Sequence, residues 1–296
     1  MITQLLISTR PKQWLKNVFI FAALVFDRQL TNLNSFLITF AGFIVFCGIS
    51  GCVYLINDIL DVESDRKHPT KKNRPIASGK LPINISLIFA FLLLILSFSA
   101  SLLLSSSFAI ICVLYFFSNF LYSKWLKHFV ILDVLIISFG FVLRVGAGVS
   151  LINVERFSPW MYVVTTLLAL YLGFGKRRAE LSLLNVKASQ HRKVLDGYSI
   201  QFLDQLITIV SSTTIIAYSL YTFSAPNLPE NHSMMLTIPF VLYGIFRYLY
   251  LIQIKQAGGE PEEILLSDKP LQSSILLFGL SVFFIFYSDT IIRWFN

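Results

Sequence analysis

Residues 57–79 read NDILDVESDRKHPTKKNRPIASG and begin where a long apolar run ends. Acidic residues come first in this stretch, and Lys and Arg residues follow within a few positions. The acids are Asp58, Asp61, Glu63 and Asp65, and the basic residues are Arg66, Lys67, Lys71, Lys72 and Arg74. Because acidic groups at the edge of a hydrocarbon layer are costly, they are a signal of function by default. The stretch therefore has to be explained together with the apolar runs around it.

The composition is that of a membrane protein. Of the 296 residues, 55% are hydrophobic and 14% are charged, whereas a soluble domain carries about 25% charged residues. The apolar residues fall in blocks long enough to cross a bilayer as a helix, which takes roughly 20 residues. We expect an all-α, polytopic membrane protein with one domain over residues 1–296. The net charge of +8 lies in loops between apolar segments, so we expect no nucleic acid partner.

We predict nine transmembrane helices from the apolar blocks. They lie near residues 17–31, 34–56, 82–104, 106–122, 130–150, 158–175, 201–223, 235–252 and 273–294. With a cytoplasmic N-terminus, 19 of the 24 Lys and Arg residues fall in inner segments, and only Arg28, Arg156 and Arg293 fall in outer ones. Since basic loops are retained on the cytoplasmic side, the bias predicts this orientation. We expect placement in the inner (cytoplasmic) membrane, with an active site that faces the cytoplasm.

The spacing of the acids predicts a metal site. Asn57, Asp61 and Asp65 are four positions apart, and Asp58, Asp61 and Asp65 are three and four positions apart, so on a helix these side chains share one face. Like charges at that spacing repel unless a positive group lies among them. Mg²⁺ takes carboxylate and amide oxygens and fills its shell with water and substrate phosphate. We expect this set to bind Mg²⁺ with a diphosphate; the alternative is a solvated helix end whose acids pair with nearby Lys and Arg.

The basic residues that follow the acids predict a phosphate clamp. Lys71, Lys72 and Arg74 lie in a loop flanked by Pro69 and Pro75, and proline favours a fixed loop over helix. Arg binds phosphate through its planar fork and Lys binds it as a point charge. For each basic residue alone, retention of positively charged loops in the cytoplasm is a sufficient explanation. As a group beside the acids, these residues indicate phosphate binding. Further basic inner segments are RPKQWLKN (10–17), YSKWLKH (122–128) and GFGKRRAEL (173–181).

Two charged residues lie inside the fifth predicted span. Asp133 and Arg144 are eleven positions apart in VILDVLIISFGFVLRVGAG. Intramembrane charges usually face a partner or a cavity, and the sequence leaves both options open for each residue. Gly146 and Gly148 in the same stretch favour close packing of helices.

The stretch NDILDVESD resembles the first aspartate-rich motif, N-D-x-x-D-x-x-x-D, of the UbiA superfamily of intramembrane prenyltransferases. Within that superfamily, RPKQWLKN, residues 57–79, residues 122–148 and GFGKRRAEL are similar to the decaprenyl-phosphate phosphoribosyltransferases. Aromatic prenyltransferases of the superfamily carry a second aspartate-rich motif after the sixth helix. This sequence has Lys176, Arg177, Arg178 and Glu180 there instead. One acidic and one basic cluster suit a donor with an additional phosphate, such as 5-phosphoribosyl 1-diphosphate.

The resemblance implies a UbiA-like helical bundle and a Mg²⁺-dependent transfer of a 5-phosphoribosyl group. The group would pass from 5-phosphoribosyl 1-diphosphate to a polyprenyl phosphate of the decaprenyl type, giving 5-phosphoribosyl-1-phosphopolyprenol and diphosphate. In the relatives, this product feeds the synthesis of arabinofuranosyl donors for the cell envelope. The implied metal ligands are Asn57, Asp58, Asp61 and Asp65, of which Asp58 and Asp61 are expected to be catalytic. The implied substrate-binding residues are Lys16, Lys71, Arg74, Tyr122, Lys127, Lys176 and Arg177.

Two other functions compete with this hypothesis. The first is an aromatic prenyltransferase of the same fold that uses a polyprenyl diphosphate, and the missing second aspartate motif counts against it. The second is a lipid-phosphate transporter, which would more often have broken helices and paired half-repeats at the bilayer midplane. The expected partners are the lipid bilayer, polyprenyl phosphate and 5-phosphoribosyl 1-diphosphate. The sequence leaves the oligomeric state open, with a homo-oligomer as one option.

Overall fold

The fold is helical, as expected from the composition. The computed structural model describes residues 1–67, 71–154, 158–184, 193–225, 228–257 and 261–295, and these residues contain no strand. The α-helices are α1 (Ile2–Ser8), α2 (Ala22–Phe26), α3 (Leu33–Leu60), α4 (Val62–Lys67), α5 (Ile83–Leu104), α6 (Ser106–Lys124), α7 (Leu132–Val149), α8 (Pro159–Leu184), α9 (Ile200–Ser224), α10 (Ile238–Gln253), α11 (Pro261–Ser267) and α12 (Lys269–Phe295). The 3₁₀ helices are Pro11–Phe21, Lys71–Asn73, Leu126–His128, Lys193–Gly197 and Ser233–Thr237.

Seven helical segments of the described chain are long and apolar enough to cross a membrane. They are Leu33–Leu60, Ile83–Leu104, Ser106–Lys124, Leu132–Val149, Ile200–Ser224, Ser233–Gln253 and Lys269–Tyr287. They coincide with seven of the nine predicted spans. The predicted span 17–31 is divided between a 3₁₀ helix and the short α2, and the helix over 158–175 runs on into charged residues at its end. Nine spans and the cytoplasmic N-terminus therefore stay predictions.

The chain forms two compact units. Unit 1 comprises residues 1–24, 29–126 and 140–154, and unit 2 comprises residues 25–28, 127–139 and 155–296. Helix α7 is accordingly divided, with residues up to 139 in unit 2 and the remainder in unit 1. The prediction of one domain over residues 1–296 stays a prediction.

Helix α3 is the centre of unit 1. It packs against α5, α6 and the 3₁₀ helix Pro11–Phe21. The core around it contains Phe46 and Ile49 of α3, Phe108 and Tyr115 of α6, and Ile20. A second cluster, in which Leu55 meets Ile76 and Leu81, buries the loop after the acidic motif against the end of α3. Apolar packing thus fixes the loop that follows the acidic motif against this end of α3.

The 3₁₀ helix Pro11–Phe21 is unusually long for its type. Runs beyond three or four residues are uncommon because their hydrogen-bond geometry is poor. Its buried side chains, Asn17 and Ile20, are three positions apart, which matches the 3.0 residues per turn of a 3₁₀ helix. A Cβ atom on Gly148 of α7 would lie 1.9 Å from the carbonyl oxygen of Ile20. The expected close packing at Gly148 is therefore confirmed, and it is a contact with backbone.

Unit 2 is built on two helix pairs. Helix α8 packs against α9, and α10 packs against α12. Their core contains Tyr171 and Phe174 of α8, Leu203 and Ile207 of α9, and Tyr248 of α10. This packing holds the charged end of α8 in place.

We expect Gly148→Ala to destabilise the protein. Its new methyl group would meet a carbonyl oxygen that cannot move without shifting the 3₁₀ helix, and overpacking costs about 1–3 kcal/mol or more. The midpoint of thermal unfolding in detergent measures the effect.

Gly146→Ala is the matched control on the same helix. Within the described part of the chain, a Cβ atom there meets only Ile111 Cδ1 at 3.7 Å, an ordinary contact, and alanine favours helix over glycine by roughly 0.5–1 kcal/mol. Its midpoint should stay equal or rise. Equal midpoints for Gly148→Ala and wild type would mean that Gly148 is not needed for the close contact.

Candidate functional site

The acidic motif lies at the junction of α3 and α4. Helix α3 ends at Leu60, and Asp61 follows as its C-cap with φ −95° and ψ 8°. The Asp61 amide donates to the Asn57 carbonyl at 2.9 Å, and the Asp65 amide donates to the Asp61 carbonyl at 2.8 Å. The backbone thus keeps the four-residue spacing across the junction. Asp58 and Asp65 are each 3% exposed, whereas Asn57 and Asp61 are half-buried.

Arg74 joins the two buried carboxylates. Its Nη1 atom lies 3.1 Å from Asp58 Oδ1 and 2.6 Å from Asp65 Oδ2. Arg10 also donates to Asp58 Oδ1, and its guanidinium lies 4.8 Å from the centre of the Tyr54 ring. The acids therefore pair with basic residues, as the alternative interpretation expected, but they are buried rather than solvated. Both arginine side chains keep more than a quarter of their surface exposed.

The loop that carries Arg74 is fixed. The Arg74 amide donates to the Lys71 carbonyl at 2.9 Å, and the Leu81 amide donates to the Pro75 carbonyl at 2.9 Å. Gly79 has φ +77°, a left-handed conformation that glycine adopts without a steric penalty. The predicted fixed loop is confirmed from residue 71 onward, and Pro69 lies outside the described residues. Lys71 is exposed on its 3₁₀ helix.

The donor set at this junction fits Mg²⁺. Two carboxylate oxygens converge on a single guanidinium nitrogen, so hard oxygen donors are gathered at one place. Mg²⁺ is usually held by one or two protein carboxylates and completes its shell with water and substrate phosphates. Among the described residues, no group of three or more His, Cys, Asp or Glu side chains is arranged to hold a metal. The set of Asn57, Asp58, Asp61 and Asp65 as metal ligands therefore stays a prediction.

The remaining predicted residues of unit 1 lie on neighbouring elements. Lys16 is half-buried in the 3₁₀ helix Pro11–Phe21, and Tyr122 is half-buried near the end of α6. Their role as substrate ligands stays a prediction. The sequence-based residue set omits Arg10, although RPKQWLKN begins with it. Arg10 has φ +53°, and this turn just before Pro11 directs the chain so that the guanidinium meets Asp58, 48 positions further along.

Arg177 lies in a buried polar network of unit 2. Its Nε atom lies 2.6 Å from Asp133 Oδ2, and its Nη1 atom lies 2.6 Å from Glu180 Oε2. Tyr198 donates its hydroxyl hydrogen to Asp133 Oδ1 at 2.7 Å. Burial raises the pKa of Tyr198, and the hydrogen bond to Asp133 raises it further. The structure favours a partner over a cavity for Asp133, and it gives Arg177, 1% exposed, a structural role beside the predicted one.

Arg178, the next residue of this segment, pairs with a carboxylate of α9. Arg178 Nε lies 2.6 Å from Asp204 Oδ1, and Arg178 Nη1 donates to the Ile252 carbonyl at 2.9 Å. Lys176 in α8 and Lys127 in the 3₁₀ helix Leu126–His128 are half-buried. As substrate ligands, Lys127, Lys176 and Arg177 stay predictions.

Comparison with known proteins shows similarity along nearly the whole chain. A sequence profile described as the UbiA prenyltransferase family matches residues 17–262. The decaprenyl-phosphate phosphoribosyltransferase of Corynebacterium glutamicum is 33% identical over 270 residues, which cover 90% of this chain and 81% of that protein. The protein of the same name from Mycolicibacterium smegmatis is 32% identical over 305 residues, covering 96% of this chain and 94% of that protein.

A solved structure shares the fold. The UbiA homolog from Archaeoglobus fulgidus bound to GPP and Mg²⁺ aligns with a TM-score of 0.73, covering 96% of this chain and 99% of that one. At 18% sequence identity, this likeness concerns the fold alone. Because the family profile spans most of the sequence and the two relatives align over 81% and 94% of their own length, the chain belongs to the UbiA prenyltransferase family.

Proposed function

We propose that this integral membrane protein transfers the 5-phosphoribosyl group from 5-phosphoribosyl 1-diphosphate to a polyprenyl phosphate. The products are 5-phosphoribosyl-1-phosphopolyprenol and diphosphate. The observation that carries the proposal is the pair of buried carboxylates, Asp58 and Asp65, with Arg10 and Arg74 beside them. Relatives that align over most of the chain are named decaprenyl-phosphate phosphoribosyltransferases.

The junction of α3 and α4 is the proposed donor site. Asp58, Asp61 and Asp65, with Asn57, supply oxygen ligands for Mg²⁺, and the bound ion neutralises charge that develops on the departing diphosphate. Arg74 and Lys71 bind phosphate oxygens, and the planar fork of Arg74 fixes their direction. Arg10 donates to the same Asp58 oxygen, Oδ1, as Arg74 does and holds the carboxylate in place.

The proposed reaction is a substitution at the anomeric carbon of the donor. An oxygen of the lipid phosphate forms a bond to this carbon, and the bond from the carbon to the diphosphate oxygen breaks. The diphosphate leaves with the electron pair of that bond. The attacking phosphate is already anionic at neutral pH, so no general base is needed. The protein contributes by holding both groups in line, which removes much of the entropic part of the barrier.

The proposed topology places this chemistry at the cytoplasmic face of the inner membrane. Nine spans with a cytoplasmic N-terminus would leave 19 of the 24 Lys and Arg residues on the inner side. The donor is a soluble, highly charged molecule, and the acceptor presents its phosphate at the membrane surface. A basic inner face therefore suits both substrates.

Transfer of label from donor to lipid is the first test of the function. We expect purified protein with Mg²⁺, polyprenyl phosphate and radiolabelled 5-phosphoribosyl 1-diphosphate to form labelled lipid. Label should move into the organic phase, and EDTA should stop the transfer because the carboxylate site needs a cation. Consumption of a prenyl diphosphate with an aromatic acid, and no labelled lipid, would indicate the aromatic prenyltransferase instead.

Asp61→Ala should reduce the transfer rate about 100-fold or more, as expected for loss of an electrostatic contact to the transition state. Asp61 is half-buried at a helix end, so the variant should still fold. The matched control is Glu63→Gln, since Glu63 lies in the same motif, is 77% exposed and pairs with Arg66. A rate for Asp61→Ala equal to that of Glu63→Gln would remove Asp61 from the metal site.

Arg74→Gln should separate metal binding from donor binding. The KM for the donor should rise about tenfold, since a charged hydrogen bond to phosphate is lost. Binding of Mn²⁺, measured by electron paramagnetic resonance, should be equal or tighter because a positive group has left the two carboxylates.

Lys80→Gln serves as the control for Arg74→Gln, because Lys80 is exposed at the end of the same loop. Its KM and its Mn²⁺ affinity should match those of the wild type. A donor KM that is unchanged in Arg74→Gln would exclude Arg74 as a phosphate ligand.

A further inference from the structure

We propose that Asn17 and Arg144 are positioning residues for the donor site. They fix the 3₁₀ helix Pro11–Phe21 against α3 and α7, and through it they place the guanidinium of Arg10 on Asp58. The inference rests on the proposed function where it concerns the donor, and on geometry alone where it concerns the 3₁₀ helix.

Arg144 is a buried cation in the membrane-spanning helix α7, and it is 5% exposed. Its Nε atom donates to Asn17 Oδ1 at 2.8 Å, its Nη1 atom to the Gly140 carbonyl at 2.8 Å, and its Nη2 atom to the Tyr115 hydroxyl at 2.9 Å. The rings of Phe46, Tyr115 and Phe141 lie 5.6, 4.8 and 5.4 Å from its central carbon.

No carboxylate takes part in these contacts, and none of the ion pairs within the described ranges includes Arg144. Oxygen dipoles and aromatic faces stabilise the charge instead, and both kinds of contact are stronger away from water. An arginine held in this way has a fixed direction. Its Nε–H group therefore provides a fixed attachment point for Asn17.

Asn17 uses every polar atom of its side chain. Oδ1 accepts from Arg144, and Nδ2 lies 3.2 Å from both Cys47 Sγ and Ser50 Oγ of α3. The Ser50 hydroxyl donates in turn to the Cys47 carbonyl at 3.0 Å. The residue is 1% exposed. Since a fully satisfied buried network is rigid and specifies one arrangement, Asn17 sets the depth and rotation of the 3₁₀ helix beside α3.

The same 3₁₀ helix begins directly after Arg10. Seven positions separate Arg10 from Asn17, which corresponds to about 14 Å at the rise of a 3₁₀ helix. A long 3₁₀ helix is weak on its own, so its placement depends on contacts at both ends. Arg10 is attached to Asp58, and the other end is attached through Asn17 and Arg144. Loss of the second attachment should therefore displace the first, although Asn17 and Arg144 do not touch the acidic motif themselves.

The test compares Asn17→Ala and Arg144→Gln with two further variants. Asn17→Asp keeps the acceptor oxygen and replaces the hydrogen bond from Arg144 with an ion pair, but it loses the Nδ2 donor to Cys47 and Ser50, so it should restore the attachment to α7 alone. Arg247→Gln removes a bidentate pair with Asp268, at 3.1 and 2.8 Å, in a spanning helix of unit 2. It controls for a general loss of stability. The measurements are amide hydrogen exchange over residues 11–21 without substrate, the thermal midpoint, and KM and kcat for the donor.

We expect Asn17→Ala and Arg144→Gln to speed amide exchange in residues 11–21 about tenfold or more, the effect of losing a hydrogen bond to a charged group. The donor KM should rise by a similar factor of about ten, with kcat changed less than about threefold. Asn17→Asp should lie between Asn17→Ala and the wild type in both, since it keeps the contact with Arg144 and loses those with α3. Arg247→Gln should lower the midpoint while exchange over residues 11–21 and KM stay unchanged.

Two results would overturn the proposal. One is exchange over residues 11–21 in Asn17→Ala that equals the wild type. The other is a rise of KM in Arg247→Gln as large as in Asn17→Ala, since that would trace the effect to general stability. If the wild type transfers no phosphoribosyl group, the proposed function fails by itself. Faster exchange in Asn17→Ala and Arg144→Gln alone would then still support the positioning role, and unchanged exchange would contradict it.

Discussion

The burial of two carboxylates at the end of α3 is the constraint on which unit 1 depends. An ionised carboxylate that leaves water without a partner costs several kcal/mol, so Asp58 and Asp65 require positive groups close by. Arg74 and Arg10 meet this requirement from opposite directions in the sequence. The loop after the motif therefore has to fold back onto α3, and the chain before the first apolar run has to reach the same helix end.

A ligand can use the same arrangement. The two arginines compensate the acids in the structure, but each side chain keeps part of its surface exposed. At the proposed donor site, a metal ion with a diphosphate would bring both positive and negative charge. The metal would then pair with the acids and the diphosphate with the arginines, so that none of these groups is left unpaired. In unit 2, by contrast, the Arg177 guanidinium is enclosed between Asp133 of α7 and Glu180 of its own helix α8, an arrangement that joins α7 to α8.

The sequence was sufficient for the parts of the fold that depend on local patterns. Helix α5 was expected at 82–104 and lies at Ile83–Leu104. A proline before the long apolar block and a serine after it determine where this helix begins and ends. The 3₁₀ helix Pro11–Phe21 was not foreseen, since periods of 3.0 and 3.6 cannot be told apart in a short, Phe-rich stretch. One partner of Asp58 and one of Arg177 were missed for another reason. Arg10 and Asp133 lie 48 and 44 positions away from them, and only tertiary packing brings such residues together.

The 3₁₀ geometry has a consequence for how this chain can vary in length. Each residue of a 3₁₀ helix turns the chain by about 120°, so positions repeat their direction every three residues. A deletion or insertion of one residue between Arg10 and Asn17 would turn one of them a third of a revolution away from its partner. Only a change of three residues would restore both directions, and it would shift Arg10 along α3 by a full turn of the 3₁₀ helix. The number of residues between Arg10 and Asn17 therefore has to stay the same for both side chains to reach their partners.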